Sequence, residues 1–137
     1  MRTLALDLGE RRIGVALSDA SGWLAMPLTV VTRTSRAADM TAIRQLVQIY
    51  GVELVVAGFP RSLDGTVGPQ GRRIERYVLL LREHLPVPVV LWDESYSTVE
   101  AERLMHETGR RAKRSRIDAI AAAVILQSYL DAQRDRG

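Results

Sequence analysis

The chain's hydrophobic pattern changes character after about thirty residues. Thr3 to Leu8 is a short run, apolar except at Asp7. Gly9 to Arg12 reads as a turn. Ile13, Val15 and Leu17 then alternate with Gly14, Ala16 and Ser18, the period of a strand with two unlike faces. Leu28 to Thr32 predicts a third strand. The connections are short, so the three form an antiparallel meander. Beyond it the period lengthens. Ile43, Leu46, Val47 and Tyr50 fall at helical spacing, and Gly51 ends that helix. Leu54 to Ala57 is an unbroken apolar strand, followed by a Gly- and Pro-containing loop from Gly58 to Pro69. Ile74, Tyr77, Val78, Leu81 and Leu85 mark a second helix, which Pro86 and Pro88 stop. Val89 to Trp92 is another fully apolar strand. Helices over Thr98 to Glu107 and Ile117 to Ala132 finish the chain. Strands apolar on both faces are central and parallel in covered sheets. The predicted order is therefore β-β-β-α-β-α-β-α-α: an α/β protein with a mixed five-stranded sheet flanked by helices, an RNase H-like arrangement. A flavodoxin-like sheet would alternate strands with helices from the start.

At 137 residues the chain is predicted to be a single domain, 1–137, with a real core. It has no cysteine, which excludes disulfides and thiolate metal sites. The longest apolar run, Ala119 to Leu126, is too short to cross a bilayer, and the N-terminus lacks a signal-peptide layout. The expectation is a cytoplasmic protein without a membrane partner. The formal net charge is +3, and 18 of the 19 basic residues are arginine, Lys113 being the exception. Arginine forks match phosphate, which suits a nucleic-acid partner; a compositional bias towards arginine accounts for the same numbers.

The candidate chemistry lies in three acids. Asp7 interrupts a run that should be buried, where a carboxylate needs a metal, a cation or hydrogen-bond donors. The competing reading has it accept bonds from the turn amides of Gly9 to Arg12. Asp93 and Glu94 follow the strand Val89 to Trp92, where open α/β sheets place their sites. Glu100 completes a capping box with Ser97 and is left out of the site; Glu94 has no such local role. Asp118 opens the last predicted helix. Ser115-Arg116-Ile117-Asp118 also resembles a cap, and taken alone Asp118 reads as a helix-start residue. It shares its face with Ala122, Ile125 and Tyr129, where a carboxylate would be poorly solvated. Sparse carboxylates from separate elements suit Mg2+ or Mn2+, and two ions roughly 4 Å apart could align a water and stabilise a leaving oxygen. His84 and His106 are isolated and offer no zinc site.

Four segments in order resemble the YqgF/RuvX family, relatives of the RuvC resolvases in the RNase H-like superfamily. They are Leu6-Asp7-Leu8-Gly9 with Arg12-Ile13-Gly14-Val15-Ala16; Gly58-Phe59-Pro60 with Asp64-Gly65-Thr66; Asp93-Glu94 with Ser97-Thr98; and Ile117-Asp118-Ala119 with Ala121-Ala122 and Ile125-Leu126. The resemblance implies a metal-dependent nuclease whose catalytic, metal-holding acids are Asp7, Glu94 and Asp118. It implies maturation of the small-subunit ribosomal RNA precursor, with cleavage of four-way DNA junctions as the alternative. A non-catalytic nucleic-acid-binding module with a decayed site is a further alternative, which retention of all three acids opposes. An actin-like kinase would need a second domain for which the chain has no room. The family usually has arginine after the Asp-Glu pair; here Ser95 stands there. Arg12 and the basic run Arg110, Arg111, Lys113, Arg114 and Arg116 are candidates to replace it and to meet phosphate; Arg61 in the Gly58–Pro69 loop is a candidate phosphate contact, with a mobile surface loop as the competing reading. For the run, a merely solvated linker is the competing reading. A junction cutter would need two sites and so suggests a homodimer; an RNA-processing monomer needs one. Trp23, in a polar-flanked loop, reads either as a cover over one end of the sheet or as an interface marker.

Overall fold

Along β1 and β2, large and small residues sort onto opposite faces of one sheet. The computed structural model describes residues 1–60, 67–93 and 114–136. Its strands are β1 (Thr3–Leu8), β2 (Arg12–Ser18), β3 (Ala25–Thr32), β4 (Leu54–Phe59) and β5 (Val89–Asp93). Their order across the sheet is β3-β2-β1-β4-β5. As the short connections predict, β1–β2 and β2–β3 are antiparallel. The longer crossovers bring β4 in parallel to both β1 and β5.

Three helices are described: α1 (Arg36–Ile49), α2 (Pro69–His84) and α3 (Arg114–Arg136). α1 and α2 bury their apolar stripes against one face, where Leu4, Leu6, Ile13, Val15 and Val55 are wholly buried. α3 covers the other face, against Ala5, Ala16, Leu54 and Val56. β1 is thus sandwiched: Leu4, Leu6 and Leu8 face α1 and α2, and Ala5 and Asp7 face α3. This is the mixed, helix-flanked α/β sheet expected from the sequence.

Local signals explain the boundaries. Ser35 caps α1, its hydroxyl accepting from the Ala38 amide at 3.1 Å. Gly51, at φ +62°, follows the helix in the left-handed conformation that a glycine adopts without strain. Pro69 occupies the first turn of α2, where its missing N–H costs nothing.

The structure corrects several expectations. β3 begins at Ala25, not Leu28, and runs through Pro27. It can do so because β3 is an edge strand and its register shifts between Val15 and Ala16, opposite the proline. β5 is also an edge strand rather than a central one; beyond Val89 its residues are only half-buried. Gly58 and Phe59 belong to β4, not to the loop after it. Trp23 covers no sheet end. It is 59% exposed, and the Arg134 guanidinium lies over its ring at 4.3 Å. The helix predicted over Thr98 to Glu107 lies outside the described residues. No described helix is long and apolar enough to cross a membrane.

Candidate active site

Asp7 and Gly14 are direct partners across the β1–β2 ladder and therefore share the face that α3 covers. Gly14 sets how closely that helix approaches. A Cβ built there would lie 1.9 Å from the carbonyl oxygen of Asp118 and 2.4 Å from its carbonyl carbon. Only a residue without a side chain lets the α3 backbone rest on β2 at this point. The contact brings Asp118 beside Asp7, though 110 positions separate them in sequence. Asp118 is not a helix-start residue: α3 extends at least to Arg114, so Asp118 stands beyond its first turn, and Ser115 is helical. The capping reading therefore falls away.

The electrostatics of Asp7 are those of a carboxylate short of a counter-charge. Its backbone oxygen accepts from the Gly9 amide at 3.1 Å, but no described group donates to its side chain. The turn-amide reading of Asp7 is thereby overturned. Burial, and secondarily the Asp118 charge, push its pKa up from 3.8 to about 6. Asp19, at the end of β2, is the opposite case. It accepts from the Trp23 and Leu24 amides at 2.8 and 3.4 Å, and those bonds hold its pKa below the usual carboxylate value. Asp19 is satisfied by its own turn; Asp7 is not satisfied by anything described.

Among the described residues, Arg12, at the start of β2, is the one cation that pairs with either acid, and it goes to Asp118. Its Nε donates to Asp118 Oδ2 at 2.6 Å. Arg12 is thus a partner of Asp118 through Nε, with its side chain 42% exposed. Arg116 is exposed near the start of α3. Glu94, Arg61, Arg110, Arg111 and Lys113 lie outside the described residues, as do Ser97 and Glu100; of Arg114 only the backbone is described. Among the described residues no group of three acids or histidines could hold a metal; Asp7 and Asp118 form a pair. Asp93 closes β5 opposite Phe59. Below the pair, Trp92 Nε1 donates to Ser128 Oγ at 3.1 Å and its ring meets Tyr129 edge to face at 5.3 Å, tying β5 to α3.

The sequence reading missed the part played by Gly14. A glycine inside a regular strand is itself a signal of close backbone approach.

A family model described as RuvX, Holliday junction resolvase, matches residues 1–132. The chain belongs to the RuvX family. It is a nuclease, a hydrolase of phosphodiester bonds. A protein of Thermoanaerobacter pseudethanolicus named "Putative pre-16S rRNA nuclease" is 44% identical to this RuvX chain, covering 99% of it and 100% of the relative. A relative of the same name from Desulforudis audaxviator is 46% identical over 98% of this chain and 96% of its own length. The fold is that of Thermus thermophilus RuvC in complex with a Holliday junction substrate, with a TM-score of 0.66 at 14% identity, covering 98% of this chain and 96% of the other. Fowlpox virus resolvase has the same fold at a TM-score of 0.56 and 11% identity, covering 97% of this chain and 99% of the other.

Proposed function

We propose that this protein is a metal-dependent endonuclease that trims the precursor of the small-subunit ribosomal RNA in the cytoplasm, with Asp7, Glu94 and Asp118 as its catalytic acids. The observation that carries this reading is the pairing of Asp7 with Asp118. Two carboxylates are brought together on a sheet face, one of them half-buried and without a hydrogen-bond donor among the described residues. Hard oxygen donors short of positive charge fit Mg2+ or Mn2+. Glu94, two residues beyond Trp92 in the sequence, is assigned to the same set by its match to the family motif. When bound, one or two such ions supply an activated water and charge stabilisation at the leaving oxygen.

The chain's own residues do the rest. Asp7, fixed on a central strand, is a rigid ligand. Asp118 is held from the outside by Arg12, which offsets one of the two negative charges before any cation arrives. Arg12 thereby limits the repulsion that the acid pair exerts on an incoming phosphodiester. Since Ser95 stands where the family has arginine, Arg12 is the residue that takes over its steadying role. Arg61, Arg110, Arg111, Lys113, Arg114 and Arg116 add phosphate contacts along the strand.

The relatives quoted above share full-length coverage and the RNA-processing name, which favours the precursor over a four-way junction. One site suffices for one cut, so a monomer serves that role; paired cuts in a junction need two copies. The test is cleavage of matched precursor RNA and four-way DNA junctions by the purified protein in Mg2+ and in Mn2+, beside Asp7→Asn, Glu94→Gln and Asp118→Asn. Cleavage of the RNA that each substitution abolishes is the expected result. Cleavage of the junction alone would move the assignment to a resolvase. Full RNA cleavage by any of the three variants would remove that acid from the site.

A further inference from the structure

A cleft of about 610 Å³ opens on the opposite side of β1 from Asp7, between the start of α1 and the exposed edge of α2. Its floor is apolar, from Leu8, Ile74 and Tyr77. Its walls carry four arginines, Arg33 and Arg36 from the α1 side and Arg73 and Arg76 from α2. Two of these are committed. Arg33 donates to the Gly9 carbonyl at 2.9 Å, lies 3.7 Å from Asp39 and stacks over the Tyr77 ring at 4.8 Å. Arg73 pairs with Glu10 at 2.9 Å. Arg36 and Arg76 are exposed, and neither has an ion-pair partner among the described residues. With Glu10 and Asp39 as the acids beside the four arginines, the cleft carries a net positive charge.

A second observation points to a ligand. Tyr77 is 9% exposed, lines the cleft, and its hydroxyl has no hydrogen-bond partner among the described residues. Buried hydroxyls are almost always bonded, so the cleft floor holds an unmet donor, one that solvent does not reach in this structure. Burial and the Asp39 charge push the pKa of that hydroxyl up, against Arg33 and Arg36, which pull it down. Exposed guanidinium forks without an acid partner are the recognition set of a phosphate group. A base has an apolar floor to rest on. Leu8 and Gly9, at the rim, directly follow Asp7 in the chain, so the cleft begins one residue from the acid pair.

We propose that this cleft is a phosphate-binding groove that grips the nucleic-acid strand on the far side of the β1–β2 turn from the scissile bond, through Arg36 and Arg76. The proposal rests on the nuclease reading and adds a second hold on the same strand. A free nucleotide or inorganic phosphate would offer the same chemistry, and the experiment separates the sources.

Affinity for a 12-nucleotide single-stranded RNA is measured against salt in the Asp7→Asn background, where cleavage is suppressed. Arg36→Ala with Arg76→Ala should weaken binding on the order of tenfold. Each lost contact should flatten the log affinity against log salt slope by about 0.7. Arg36→Lys with Arg76→Lys should recover the slope and only part of the affinity, since charge returns without the fork. An unchanged affinity and slope in the folded double alanine variant overturns the groove and leaves the nuclease reading intact. Inorganic phosphate perturbing the Tyr77 ring resonances, with RNA affinity unaffected by either pair of substitutions, makes the cleft a small-anion site and overturns the strand path. Failure of the protein with native arginines to bind RNA or junction DNA overturns both readings together.

Discussion

The two faces of the sheet do different jobs with the same strands. Towards α1 and α2, β1 and β2 present Leu4, Leu6, Leu8, Ile13, Val15 and Leu17, which interlock with Ile43, Val78 and Leu81 in a bulky core. Towards α3 they present Ala5, Asp7, Gly14, Ala16 and Ser18. The first face buries much apolar area and holds the fold; roughly 1.5 to 3 kcal/mol accompanies each large side chain fully removed from water. The second buries little, but it lets a helix backbone come close enough to set one carboxylate beside another. A site made of like charges needs a neighbouring core that can bear its cost. Alternation along a single strand supplies both, because residues one apart point in opposite directions.

The sharpest way to test this division is at Asp7. Asp7→Asn should cut cleavage on the order of a thousandfold, the loss of several kcal/mol of charge stabilisation at the reacting phosphate. Stability should move the other way. The folded-state pKa of Asp7 is raised to about 6, so the folded protein binds a proton more tightly than the unfolded chain. Between about pH 4 and 6 the native state loses stability as pH rises, and above 6 the full cost is present. A shift of this size corresponds to about 3 kcal/mol. In metal-free buffer the variant should melt higher than the parent at pH 7.5 and nearly level with it at pH 4. Equal melting temperatures at both pH values would mean that the carboxylate is not strained.

The next contrast sets one residue from each face side by side. Gly14→Ala should cost about 1 to 3 kcal/mol, since its Cβ would overlap the α3 backbone. Because relief requires α3 to move and carry Asp118 with it, cleavage should fall about a hundredfold even where the protein is folded. Leu6→Ala, wholly buried on the other face, should cost about 2 to 5 kcal/mol and leave cleavage by the folded fraction nearly unchanged. Melting curves and cleavage rates at a temperature where both variants are folded decide it. A Leu6→Ala variant that loses as much cleavage as Gly14→Ala would show that the faces are not functionally separate.

Much of this architecture was legible in the chain, and what was hidden has a common cause. The strands β1, β2 and β4 follow from local alternation or apolar runs, and Asp7 stands out because it violates such a run. The end of α1 is written in Gly51. The acid at Asp118 was visible, but its surroundings were not. Ser115 to Asp118 imitate a cap, and only the helix beginning at or before Arg114 shows that Asp118 lies beyond the first turn. Gly14 looks like a small residue filling an alternation until a helix more than 100 positions later settles on it. The cleft arginines come in two separate pairs, from the start of α1 and from α2, with no local run to reveal them. Local periodicity encodes elements; contacts between distant elements are decided by shape, which single-position patterns do not carry.

The smallest effect belongs to Arg12, and it probes how the α3 face manages its charge. Arg12 Nε and Asp118 Oδ2 are 2.6 Å apart, with the arginine side chain 42% exposed. An ion pair this open to solvent contributes about 0 to 1 kcal/mol, so Arg12→Ala should barely change the melting temperature. Its consequence lies in the site. Without Arg12 the acid pair loses the cation that holds Asp118, so divalent metal should bind more tightly, while an approaching phosphodiester meets more uncompensated charge. Arg12→Ala should therefore raise apparent Mg2+ affinity a few-fold and raise KM for RNA about tenfold, with the KM effect growing as salt is lowered and screening lost. Arg12→Lys should restore KM in large part but not the orientation of Asp118, so kcat should stay below that of the parent. If Arg12→Ala weakens Mg2+ binding instead, the arginine serves to place Asp118 for the metal rather than to offset its charge. The α3 face would then depend on Arg12 for geometry, as it depends on Gly14.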